Sequence, residues 1–194
     1  MQKDEVQKVL ERFRNHVVSI AKRNLTKDTK MSSGNLYNSI KGEVKTMPNS
    51  ISIEFFMEDY GVFQDQGVRG ADPSKVSPNA KITGQQAPNS QYHFGSGKVG
   101  NYAGFVRSME KWVKRKNIRL RDKKGKFTKG NTKTIAHIIA GNIYNRGIKP
   151  SLFFTKPFES AYKNLPEELV EAYGLEAVKL FNQQIDEILK DGNN

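Results

Sequence analysis

The apolar residues change period once within the first 56 positions, and that change constrains the fold more than any other feature of the chain. Val6, Leu10, Phe13, Val17, Ile20, Ala21 and Leu25 recur three or four apart, which lays a single stripe along a helix of about six turns. Asp4 and Glu5 stand at its start, where the positive end of the helix dipole favours acids. Ser33 is placed to cap a short second helix with Leu36 and Ile40 one turn apart. Then the period drops to two. Ile51, Ile53 and Phe55 alternate with Ser52 and Glu54. Together with residues 44–47 and a turn at Pro48-Asn49-Ser50, they predict a hairpin with one buried face. Phe56 breaks the alternation, which implies a covered outer face near the strand end.

Helical spacing returns at Phe105, Met109, Trp112 and Val113. A further helix follows at Ile135, Ile138, Ile139 and Ile143, capped by Asn131 or Thr132 and stopped by Gly147. The last starts at Pro166 and carries Leu169, Tyr173, Ala177, Leu180, Phe181, Ile185, Ile188 and Leu189. Between the first two of these, NIRLRDKKGKFTKG predicts a strand or hairpin turning at Lys123-Lys124-Gly125. The element order implies an α+β fold: a small antiparallel sheet packed by helices, with a long polar loop and a basic hairpin insertion. We expect one domain over residues 1–194. Its insertion, 67–133, divides into a polar loop (67–101) and a basic helix and arm (105–133). Val68, Val76, Ile82 and Val99 are the only aliphatics larger than alanine in that loop, so it is expected to be either functional or without structure when alone.

Charge is as unevenly spread as hydrophobicity. The net charge is +12. Between Arg107 and Lys133, twelve Lys and Arg stand against Glu110 and Asp122, a local balance of +10. From Glu159 onward, eight acids stand against three lysines, a balance of −5. Arg107, Lys111, Lys114 and Arg115 lie off the apolar stripe of their helix, as on any solvated helix. Their continuation exceeds that explanation: Arg119, Arg121, Lys123, Lys124, Lys126 and Lys129 follow almost unopposed around a glycine turn. These ten residues are the candidate contact with a polyanion, either nucleic-acid phosphates or an acidic protein face.

IYNRGIKPSLFFTKPFESA (143–161) combines two prolines with a run of aromatics. The prolines argue against a helix and the aromatics against a solvated loop. Pro150, Phe153, Phe154 and Phe158 are expected on a returning strand or turn. They serve either as core where sheet and helices meet, or as an aromatic edge that docks on a neighbouring subunit. On the docking alternative, at least one of the three phenylalanines is buried mainly by another chain.

Little in the sequence offers catalytic chemistry. There is no cysteine, so disulfides and thiolate metal sites are excluded. His16, His93 and His137 are scattered, with no pair at ligand spacing. FGSGKVG resembles a phosphate loop only superficially, because Tyr92 and Val99 occupy the required glycine and hydroxyl positions. Glu43-Val44-Lys45, with Asp28 upstream, matches half of a metal-nuclease pattern, and a solvated strand face explains it equally well. No enzyme and no cofactor are expected. The first residues are charged throughout, and no run approaches the roughly 18 apolar residues of a membrane span. We therefore expect a soluble protein made on the cytosolic side, with no membrane partner.

AKRNLTKDTKMSSGNLYNSI, YGVFQDQGVRG and IAHIIAGNIYNRGIKPSLFFTKPFESAY together resemble the tail-completion or head–tail connector (neck) proteins of tailed bacteriophages. The first motif is a turn with Gly34, Leu36, Ser39 and Ile40. The second is a strand end with Tyr60, Phe63, Asp65 and Gly67, and the third carries Gly147, Ile148, Pro150, Phe153, Phe154, Pro157 and Phe158. The loop and basic arm are larger than the family's usual insertion. The resemblance implies a non-enzymatic virion protein, assembled in the host cytoplasm. It would form a homo-oligomeric ring beside the portal or other connector and tail proteins, with DNA passing through the lumen in non-specific contact. A standalone basic nucleic-acid-binding protein is the alternative, and a metal-dependent nuclease using Glu43 and Lys45 a remote third.

Overall fold

The computed structural model describes residues 4–27, 34–47, 50–95, 102–122, 124–128 and 130–191. The fold is α+β, with seven helices and two small antiparallel sheets among those residues. The chain divides into two compact units. The first comprises Met1–Thr29, Asn35–Glu58 and Phe153–Asn194, the second Lys30–Gly34 and Asp59–Leu152. The second unit thus takes in the 67–133 segment together with its flanks.

The first unit is built on α1 (Asp4–Lys27). Leu10, Phe13, Val17, Ala21 and Leu25 are buried along the expected stripe, and Val9 joins them. β1 (Lys41–Met47) and β2 (Ser50–Phe56) pair with Val44 opposite Ile53 and Thr46 opposite Ile51. Their turn at Pro48-Asn49 lies outside the described residues. Val44, Ile51, Ile53 and Phe55 pack against the α1 stripe. Phe56 is exposed, so the expected cover on the outer face is corrected. α2 (Asn35–Ser39) leads into the buried Ile40. The Ser39 hydroxyl donates to Leu36 O and accepts from the Glu58 amide, both at 3.0 Å, tying α2 to the exit of the hairpin. The expected cap, Ser33, lies outside the described residues.

The proline-bounded corner is a helix after all: α6 spans Thr155–Tyr162. Pro157 is its third residue, and the first turn of a helix has no acceptor for its N–H groups, so proline loses no bond there. Phe154, Phe158 and Tyr162 fall one turn apart and stack at 6.0 and 5.8 Å between ring centroids. Phe158 also meets Phe13 and Phe55 edge-on at 5.6 and 5.9 Å. Phe153, just before the helix, is 1% exposed among Ala21, Leu25 and Ile40. Its expected place at a subunit contact is therefore corrected to core of its own chain. Phe154 and Phe158 are half-buried in the same unit.

α7 (Leu165–Asp191) closes the first unit, with Leu165 and Ala172 buried against α1 residues. The expected stripe does not continue inward at Tyr173, which is exposed, as are Val170, Leu175 and Val178. The side chains of Leu180, Phe181, Ile185, Ile188 and Leu189 lie outside those described.

The second unit begins with α3 (Tyr60–Gln66), where a strand end was expected. Tyr60, Phe63, Gln64 and Gly67 have helical spacing, and Phe63 packs edge-on against Tyr92 at 4.9 Å. β3 (Val68–Arg69) pairs antiparallel with β4 (Gly147–Ile148). α4 (Tyr102–Arg115) and α5 (Thr132–Arg146) share a small core of Val106, Ala136 and Ala140, flanked by Phe105 and Met109. Small alanines replace the expected Ile138, which is exposed. Asn131 caps α5 through Lys133 N, and Gly147 ends it, as the sequence implies.

Over residues 67–95 the polar loop bonds to its own unit, which corrects the alternative that it is without structure when alone. Arg69 forms a parallel bridge with His93, Ala71 N donates to Tyr144 O at 2.9 Å, and Gln86 N donates to Arg146 O at 2.8 Å. The Gln85 side chain stands in for a strand partner, accepting from Gly70 N at 2.6 Å and donating to Gly70 O at 3.1 Å. Side-chain amides and backbone thus satisfy one another where aliphatic packing is scarce. Residues 96–101, with the phosphate-loop-like Gly97 and Lys98, lie outside the described residues. Among those described, no helix is long and apolar enough to cross a membrane.

Candidate polyanion-contact site

α4 has helical geometry that places Arg107, Lys111 and Lys114 in one exposed row, off the face that buries Val106 and Val113. Arg115 is exposed beside them. Glu110 interrupts the row. Lys114 Nζ lies 2.9 Å from its carboxylate, and the hydrogen bond, then the charge, holds the Glu110 pKa below its usual value. Glu110 therefore stays ionised and offsets part of the positive charge on the helix.

The helix ends by backbone geometry. Asn117, at φ 49°, takes the left-handed conformation. Ile118 N donates to Val113 O at 3.1 Å and Asn117 N to Lys114 O at 3.2 Å. These two bonds are the Schellman pattern that satisfies the last carbonyls of a helix. They release the chain directly into the arm.

The arm is a hairpin. Arg121 faces Phe127 in an antiparallel bridge, and Thr128 N donates to Leu120 O at 3.0 Å. Asp122 organises the turn: its Oδ1 accepts from the amides of Lys124 and Lys126, both at 2.9 Å, and its carbonyl accepts from Gly125 N at 2.9 Å. Gly125, at φ 79°, supplies the left-handed residue. Leu120 turns to one face and lies over Gly130. The other face presents Arg119, Arg121 and Phe127, all exposed. The Arg121 guanidinium lies 4.2 Å from the Phe127 ring centroid and donates to Gly125 O at 3.0 Å, while that of Arg119 lies 5.9 Å from the same ring. The Arg121 guanidinium is thus held on an aromatic ring with that of Arg119 at the edge of reach, and Lys124 and Lys126 are exposed at the turn. Lys123 and Lys129 lie outside the described residues.

The structure brings together the α4 row as one set and the hairpin residues as another. Sequence reasoning missed two members. Asp122 was counted only as an opposing charge, although Asp followed three residues later by Gly is a type I turn signature. Phe127 stands alone among cations in the sequence, with no local pattern that marks it for a role.

The motif residues also converge in part. Gly67 (φ 74°) lies under Ile148 and Pro150: a Cβ there would sit 2.6 Å from Ile148 O and 2.8 Å from Pro150 N. Gly147 (φ 93°) lies in turn against the Val68 carbonyl. Ser151 Oγ donates to Gln64 O at 2.7 Å and Leu152 N to Asp65 O at 3.0 Å, covering the last carbonyls of α3. Two motifs distant in sequence therefore clasp each other. Tyr60 is exposed, and Gly34, at φ 75°, precedes α2.

On β1, Lys45 Nζ donates to Glu54 Oε2 at 2.6 Å, and that bond raises the Lys45 pKa. A cross-strand ion pair accounts for this part of the Glu43–Lys45 pattern. Asp28 lies outside the described residues. Among the described residues, no group of three or more His, Asp or Glu side chains is placed to hold a metal ion. Comparison with known proteins finds no matching family model, no matching curated protein and no matching solved structure.

Proposed function

We propose that this chain is a structural subunit of a tailed-bacteriophage virion. It forms a ring at the head–tail junction, next to the portal or other connector and tail proteins, and DNA passes through the lumen. The observation that carries the reading is the second apolar face of α7. Val170 is 75% exposed and Val178 58%, on the side away from Leu165 and Ala172, and Tyr173 is 61% exposed on the flank. A helix apolar on both sides is normally covered on both. Glu167, Glu168 and Glu171 are exposed beside these residues, so the surface repels phosphates and suits a protein neighbour.

A second copy supplies the matching charge in the row Arg107, Lys111 and Lys114. Two different surfaces meeting head to tail close into a ring when the rotation permits. The hairpin cations remain for DNA phosphates. The clasp between the Gly67 and Gly147 motifs adds support, because it gives the family-like residues a shared structural purpose.

The test is the double variant Val170→Glu/Val178→Glu. Its changes point outward, so the helix content stays that of the parent while the oligomer collapses to the 22.0 kDa chain. An oligomer of unchanged mass in that variant contradicts this use of α7. The preformed cationic hairpin also favours a second reading, a standalone basic nucleic-acid-binding protein. That reading expects a monomer that binds DNA with the α7 variant as well as with the parent.

A further inference from the structure

We infer that Phe127 is a stacking platform for an unpaired nucleobase, so that the hairpin takes single-stranded DNA in preference to duplex. The inference rests on the DNA-contact reading of the arm, which the ring and the standalone nucleic-acid-binding readings share, and deepens it. A ring kept only to support arginine side chains has no need to face solvent, yet Phe127 is 59% exposed. Arg121 lies over it at 4.2 Å and Arg119 at the edge of reach, 5.9 Å, leaving ring surface open. The hairpin also fixes where the ring stands. The bridge to Arg121, the Thr128–Leu120 bond and the Asp122 turn hold its backbone, and Leu120 anchors the opposite face.

Arg121 and Arg119 stand beside the ring at 4.2 and 5.9 Å, and Lys124 and Lys126 are exposed at the turn of the same hairpin. An aromatic ring set among cations is the combination that binds single strands: charges follow the backbone and the ring takes a base. An intact duplex offers the same phosphates but keeps its base faces stacked, so it uses only the cationic half. The stack reads no base edge, so it carries no sequence preference.

The measurement is the ratio of affinities for an oligothymidylate and for a blunt duplex of equal length, by fluorescence anisotropy at fixed salt. The parent protein favours the single strand. Phe127→Ala and Phe127→Leu both lower that ratio by about tenfold, the scale of losing one base–aromatic stack, and Phe127→Trp restores it. Leucine matters because it keeps an apolar side chain on the hairpin while removing the π face. A ratio unchanged in the alanine variant overturns the inference, and so does a ratio that leucine preserves, since the ring then only packs. If the parent binds neither ligand, the DNA-contact reading of the arm fails along with it.

Discussion

Replacing Phe153 with alanine is expected to lower the stability of the first unit by about 3–5 kcal/mol. The ring is 1% exposed and closed in by Ala21, Leu25 and Ile40. Its loss removes the transfer energy of an aromatic side chain and leaves a cavity between α1 and the residue that follows α2. A loss of that size is a large part of the roughly 5–15 kcal/mol that holds a typical domain together. Chemical denaturation followed by far-UV circular dichroism is the suitable measurement, because the single tryptophan, Trp112, belongs to the second unit. Tyr162→Ala is the control. That side chain is 54% exposed at the end of the same aromatic row, so its removal costs far less. A Phe153→Ala loss below about 1 kcal/mol contradicts the sealed packing on which the core assignment rests.

The second large effect is electrostatic. If each subunit neutralises about three phosphates, duplex affinity falls with salt at a log–log slope of roughly −3, close to a thousandfold per tenfold rise in salt. The α4 row is assigned to a neighbouring copy, so the slope belongs to the hairpin. Changing Arg119, Arg121, Lys124 and Lys126 together to glutamine flattens it. The fold survives, since exposed charges contribute little to stability and the backbone of the turn is held by Asp122, which is untouched. A variant that keeps the parent slope shows that the hairpin is a solvated surface. A variant that keeps its DNA response but fails to assemble shows that the hairpin meets an acidic protein face instead.

The sequence carried the α+β class, the α1 stripe, the β1–β2 hairpin and both ends of α5, because each depends on residues adjacent along the chain. Reading failed where the deciding partner was remote. Two prolines in the 143–161 stretch read as helix-breaking, yet Pro157 falls in the one helical turn that tolerates it. The loop after Gly67 read as either functional or without structure when alone, because aliphatics are scarce. Its order comes instead from bonds such as Gln85 to Gly70 and Gln86 to Arg146, which no local pattern announces. On α5, Ile138 looked like core and Ala136 did not. Which face a helix buries depends on how closely its neighbour approaches, and two alanines let α4 come near. The candidate site was half legible: ten cations were visible as composition, whereas the turn-forming Asp122 and the ring of Phe127 acquire roles only once the hairpin closes.

The central claim is that the chain works as one of several identical copies around an opening. Imaging the purified protein by electron microscopy, with its molar mass measured by light scattering on the same sample, tests that most directly. The account predicts a mass that is a multiple of 22.0 kDa and particles that are closed rings with a central channel. A mass of one chain at every concentration, with no rings in the images, contradicts it.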